Sequence, residues 1–172
     1  ENTLFQLALL LICGLLILSR VAYYFEPTGF MVPIAACGIL YAILANVGLA
    51  VMVSFVTAAL VSAQYSYDWR LMVVGAAMSL AGAFSIVRVR RRSDMASASI
   101  AATVAGGLAM IAVILAMDKV ADESTFRRLV LIGLNGSICL LAVPAVLSPL
   151  ERLFGITTDI QLLEYSDFNN EL

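Results

Sequence analysis

From its first residues to Ser148, the chain alternates long apolar runs with short gaps that collect its few charges. The runs cover roughly 4–22, 30–46, 47–63, 70–87, 95–117 and 129–147. Each is close to the about 17–25 residues that a helix needs to cross a bilayer. Backbone groups in lipid must find partners within the segment, so such runs predict helices. The expected fold is all-α: a polytopic transmembrane bundle of about six hydrophobic helices, then a short amphipathic cytoplasmic linker helix. Residues 1–147 form the membrane domain in this reading, and 148–172 the juxtamembrane linker. The division within 30–63 rests on Asn46 and Gly48 alone, which predict two short helices joined by a tight turn.

Composition supports lipid as the solvent. Hydrophobic residues make up 62% of the chain and charged residues 13%, with a mean hydropathy of +1.00. A soluble domain carries about 25% charged residues to wet its surface. The formal charge of −2 comes with no basic stripe interleaved with aromatics, which argues against a nucleic-acid partner. Histidine is absent, which removes the commonest general base and metal ligand. Cys13, Cys37 and Cys139 stand singly in apolar runs, as small buried thiols do. No catalytic constellation is expected in this segment, and no cofactor. Both termini look cut, as in one module of a longer protein.

Arg88, Arg90, Arg91 and Arg92 form the dense basic cluster and put their gap in the cytoplasm by the positive-inside rule. Two crossings later the C-terminus is cytoplasmic too. The gaps holding Tyr23, Tyr24 and Phe25, and Tyr65, Tyr67 and Trp69, then fall on the opposite face as aromatic belts. The gap from Asp118 to Arg128 mixes both signs. Small residues recur every four positions at Gly38 and Ala42, at Gly75, Ser79 and Ala83, at Ala98, Ala102 and Gly106, and at Gly133 and Ser137. Such stripes predict close helix–helix contacts, because dispersion rather than hydrophobicity drives packing in lipid. No acidic or basic residue lies mid-span, which disfavours ion-coupled transport and proton relays. Asn46 and Asn135, with Thr57 and Thr103, are the intramembrane polar candidates, and an interhelical hydrogen bond is their expected role.

The tail carries the specific signal. Ser148, Pro149 and Glu151 fit a capping box with proline at the first helical position, predicting a new short helix that ends near Gly155. Thr158 and Gln161 repeat the cap logic. Ile160, Leu162 and Leu163 then give an apolar side, while Glu164 and Asp167 face water. The stretch through Glu151, Phe154, Gly155, Thr157, Thr158, Asp159, Leu162, Leu163, Glu164, Ser166 and Asp167 resembles the junction of bacterial seven-transmembrane receptors with an intracellular HD hydrolase. Residues 90–94 of the inner loop add a weaker likeness. Tyr165, Phe168 and Glu171 depart from that family's leucine and prolines.

The resemblance implies a bacterial inner-membrane, multi-pass protein that joins an extracytoplasmic sensor to a cytoplasmic HD domain. That domain hydrolyses cyclic di-AMP at a His–Asp centre holding a divalent metal, Mn or Fe. None of those ligands can be assigned to this chain. The expected partners are the bilayer and the chain's own sensor and HD domains, and a homo-oligomer is compatible with the sequence. The family layout requires an odd number of crossings, against six counted. Either residues 30–63 make one crossing plus a half-helix or re-entrant piece, or a span is missing. A small carrier for an uncharged solute, with Asn46 and Asn135 lining its cavity, and a passive anchor are the competing readings.

Overall fold

The computed structural model describes residues 2–86, 92–117 and 123–154. They form six helices: α1 (Asn2–Phe25), α2 (Ile34–Leu44), α3 (Val47–Gln64), α4 (Trp69–Ser85), α5 (Arg92–Ala116) and α6 (Glu123–Phe154). Four of these, α1, α3, α5 and α6, contain segments long and apolar enough to cross a membrane. α4 has 17 residues, about 25 Å of helix, and α2 has 11, about 16 Å.

Side-chain pairings give the helix directions. Ser54 meets Ser79 while Ala58 lies against Gly75, so α3 and α4 are antiparallel. Gly82 faces Ala102 and Gly106 faces Met78, setting α4 against α5. Gly136 faces Thr103 and Gly106 faces Ile132, setting α5 against α6. Ile34 beside Gly75 and Gly38 beside Ser79 make α2 parallel to α4. Ser19 beside Gln64 and Tyr23 beside Tyr65 make α1 parallel to α3. The helices therefore alternate up and down, and the start of α1 and the end of α6 lie at the same end of the bundle.

α2 is the centre of the structure. Residues 34–41 and Leu44 are all buried, and α2 packs on α3, α4 and α6 and also touches α1 and α5. Its sequence has no polar face, as suits a helix surrounded by others. Gly38 makes the closest approach. A Cβ there would lie 2.8 Å from Ser54 Oγ and would collide with Ser79 Oγ. Those hydroxyls form a chain: Ser79 Oγ donates to Ser54 Oγ at 2.7 Å, and Ser54 Oγ donates to the Ala50 carbonyl at 2.7 Å.

The expected span at 30–46 is thus corrected to a half-length helix. Pro33 has no N–H and disfavours helical backbone at Val32, while Gly29 takes φ +77°. Residues 26–33 run into the bundle without helical structure. Ile34 is level with Gly75, six residues and about 9 Å inside α4. The turn at Ala45 and Asn46 nevertheless reaches the level of the end of α4, since Val47 and Ile86 each lie seven residues beyond the Ser54–Ser79 pair. The described residues therefore make six passes, the second of them partly non-helical.

A second correction concerns Ser148 and Pro149. α6 passes through both, and through Pro144, as one 32-residue helix, so the expected new helix start is not there. Cys139, Val143, Leu147 and Leu150 are buried and continue one helical stripe across the prolines. Packing along that stripe outweighs the loss of single intrahelical hydrogen bonds. Glu151 and Phe154 lie in its last turn. Gly155, Thr157, Thr158, Asp159, Leu162, Leu163, Glu164, Ser166 and Asp167 fall outside the described residues, as do Arg88, Arg90 and Arg91. Arg92 opens α5.

Gly38→Ala should destabilise the purified membrane domain by about 1–3 kcal/mol through overpacking at the α2–α3–α4 contact. Denaturant unfolding in mixed micelles measures this, and an unchanged midpoint would count against the contact.

Candidate coupling site

α6 holds the non-helical segment 26–33 at three points. At the rim, Arg127 Nη2 lies 2.7 Å from Glu26 Oε2, and Thr28 Oγ1 donates to Glu26 Oε1 at 3.1 Å. At the next residue of α6, the Arg128 guanidinium sits 5.7 Å from the centroid of the buried Phe30 ring. Deeper still, the Asn135 amide donates to the Phe30 carbonyl at 2.9 Å and to the Val32 carbonyl at 2.6 Å. Its oxygen accepts from Cys139 Sγ at 3.3 Å. Asn135 is 2% exposed, so both carbonyls are satisfied away from water.

Asn135 thus performs the interhelical role expected of it, toward backbone rather than toward another side chain. Asn46 does not. It is exposed at the α2–α3 turn and caps α3, its Oδ1 accepting from the Gly48 N–H at 2.6 Å. Thr57 and Thr103 donate to carbonyls of their own helices. Among the described residues, every buried side-chain nitrogen or oxygen has a hydrogen-bond partner.

The rim around Glu26 is also tied to α1 and α3. The Tyr65 phenol donates to the Ser19 carbonyl at 2.9 Å, its ring is 5.5 Å from that of Tyr23, and Gly29 packs against it. Burial is the main reason that the Tyr65 pKa stands above the ordinary phenol value. The aromatic clusters therefore divide: Tyr24, Phe25, Tyr67 and Trp69 are exposed, as belt residues are, whereas Tyr65 is a core contact.

A groove of about 230 Å³ lies between α5 and α6, lined in part by Ser99, Thr103, Gly133, Gly136 and Ser137. Its hydroxyls donate to carbonyls of their own helices, and neither Asn46 nor Asn135 lines it. Gly136 makes the close approach to Thr103, while a Cβ at Gly133 would meet open space. The Gly133–Ser137 stripe is therefore not an internal contact, unlike those at Gly38, Gly75 and Gly106.

Among the described residues, no group of three or more His, Cys, Asp or Glu side chains could hold a metal ion. The arrangement ties α6 to the 26–33 segment at one end of the bundle, and the same helix runs on to Phe154 at the other. Sequence reasoning missed Glu26, Phe30, Arg127 and Arg128. Their contacts join positions about a hundred residues apart, and the mixed charges of the 118–128 gap gave no pairing.

Asn135→Leu should cost about 1–3 kcal/mol for the Phe30 carbonyl it leaves bare, while the Val32 carbonyl keeps the Ile34 N–H at 2.7 Å. Unfolding in bicelles compared with Asn135→Gln measures it, and a leucine variant as stable as the parent would contradict the bridge.

The sequence pattern of the family described as 7TM receptor with intracellular HD hydrolase matches residues 1–158. No curated protein and no solved structure matches the chain. The family match runs from α1 through the end of α6. With its helical membrane bundle, this chain belongs to the family of 7TM receptors with an intracellular HD hydrolase, as their membrane domain.

Proposed function

We propose that this bundle is a signalling relay. It connects an extracytoplasmic sensor to a cytoplasmic HD phosphodiesterase that hydrolyses cyclic di-AMP, and α6 is the element that carries the signal. The observation behind this reading is the continuity of α6 from the rim contacts at Arg127 to Phe154, which carries the helix into the junction stretch that starts at Glu151. A single 32-residue helix, about 48 Å long, transmits rotation or translation as long as its buried stripe holds it helical through Pro144 and Pro149. The relay transmits only if the sensor's state favours one helix arrangement over another.

No catalytic step is assigned to this chain. It has no histidine, so its residues do not fit the Mn or Fe centre of an HD hydrolase, and that metal belongs to the hydrolase domain in this proposal. The basic cluster supports a cytoplasmic C-terminal end in the inner membrane of a bacterium. With six passes, the start of α1 then faces the cytoplasm as well. An outside sensor preceding it needs one further crossing. The carrier reading loses its two proposed cavity residues, since Asn46 and Asn135 are both bonded to backbone groups.

Inserting alanines after Arg152 in the full-length receptor tests the relay. One or two residues should change the hydrolysis rate of cyclic di-AMP several-fold, because each turns the exit by about 100°. Seven should bring it back toward the parent value, since seven residues are nearly two turns. A rate indifferent to phase would favour a passive anchor. For sidedness, a membrane-impermeant maleimide should label Ser124→Cys in intact cells and Ser148→Cys only after permeabilisation. The reverse pattern would invert the bundle.

A further inference from the structure

The three contacts that α6 makes with residues 26–33 differ in kind. The Asn135 bridge is buried, and both of its amide hydrogens are used. The Arg127–Glu26 pair lies at the rim, with the arginine side chain 66% exposed and the glutamate side chain 9%. The pair is open to water and salt from its arginine side only, so it can be exchanged through that side, whereas an amide bridge in lipid has no water to replace it. Eight residues of α6, about 12 Å, separate the two contacts.

We infer that the Glu26–Arg127 pair is a releasable latch that sets the resting position of α6, with Asn135 as its pivot. The inference rests on the relay reading and names its control point. Glu26 follows α1 without a break, its N–H donating to the Ala22 carbonyl at 2.8 Å. Movement of the end of α1 therefore pulls on the latch directly. Thr28 holds the other carboxylate oxygen, so Glu26 stays oriented toward α6 when Arg127 leaves. The exposed guanidinium is accessible to a competing anionic group, such as a carboxylate from the region above the rim. Opening the latch frees the first turn of α6 while the pivot keeps the helix in the bundle. The far end of α6 then swings in the opposite sense.

The test uses the full-length receptor in lipid vesicles, spin-labelled at Leu49→Cys and Ser148→Cys, two exposed positions at the exit end. Double electron–electron resonance reads the distance between them, and cyclic di-AMP hydrolysis is followed in the unlabelled receptor. Glu26→Arg, Arg127→Glu and Arg127→Gln should each shift the distance distribution and change the basal hydrolysis rate at least threefold. Arg127→Lys and the Glu26→Arg/Arg127→Glu swap should return both readouts to within 1.5-fold of the parent. Arg127→Gln removes the charge at an exposed position and still offers an amide donor to the buried Glu26 carboxylate, so it keeps the test open if a charge reversal fails to fold. Unchanged distances in Arg127→Gln would overturn the latch, and so would a swap that behaves like its single variants. A shifted distance with an unchanged rate, alongside phase-independent α6 insertions, would instead overturn the relay reading and leave the latch standing.

Discussion

Two backbone carbonyls, those of Phe30 and Val32, lie within the bundle outside any helix and both accept from the Asn135 amide, the second sharing its oxygen with the Ile34 N–H. Lipid offers no replacement for such bonds, so irregular backbone persists at depth only where protein surrounds it. The rest of the architecture follows. The chain leaves α1, passes Pro27, Gly29 and Pro33 without helical structure, and begins α2 about 9 Å inside the bundle. Entering in this way places a short apolar helix at the centre, where Gly38 lets α3 and α4 close around it.

The same bridge makes α6 unlike the other helices. It alone carries the three contacts to the 26–33 segment, and it continues past the other elements to Phe154. Its buried stripe through Val143, Leu147 and Leu150 keeps it helical across two prolines. A helix anchored at one end of a bundle and emerging from the other is suited to relaying a change of position. The family to which the chain belongs puts a receptor and an intracellular HD hydrolase in one protein, a setting in which such a helix has work to do.

Much of this fold was legible because lipid simplifies the code. Apolar run length gave the positions of α1, α3, α4, α5 and α6 to within a few residues at most ends, with α6 extending furthest beyond its run. Four-residue spacing of small side chains identified the contacts at Gly38, Gly75 and Gly106. What misled was local punctuation read without tertiary context. Ser148-Pro149 has the form of a helix start, yet packing on the bundle carries the preceding helix through it. Phe30 to Asn46 has the length of a span, yet Pro33 holds the helix off until Ile34. Asn46 and Asn135 were alike in the sequence, and only the structure separates a turn cap from a buried bridge. The Glu26–Arg127 pairing was out of reach of periodicity because it joins opposite ends of the chain.

The entry of the 26–33 segment into the bundle depends most on the Asn135 bridge, and solid-state NMR in lipid bilayers measures it directly. With ¹⁵N on the asparagine side chains and ¹³C on the valine and phenylalanine carbonyls, the Asn135 amide should show dipolar contact with both the Phe30 and Val32 carbonyl carbons. Those cross-peaks should vanish in Asn135→Leu. Carbonyls at Phe30 and Val32 that exchange magnetisation with water and show no contact to Asn135 would contradict the account.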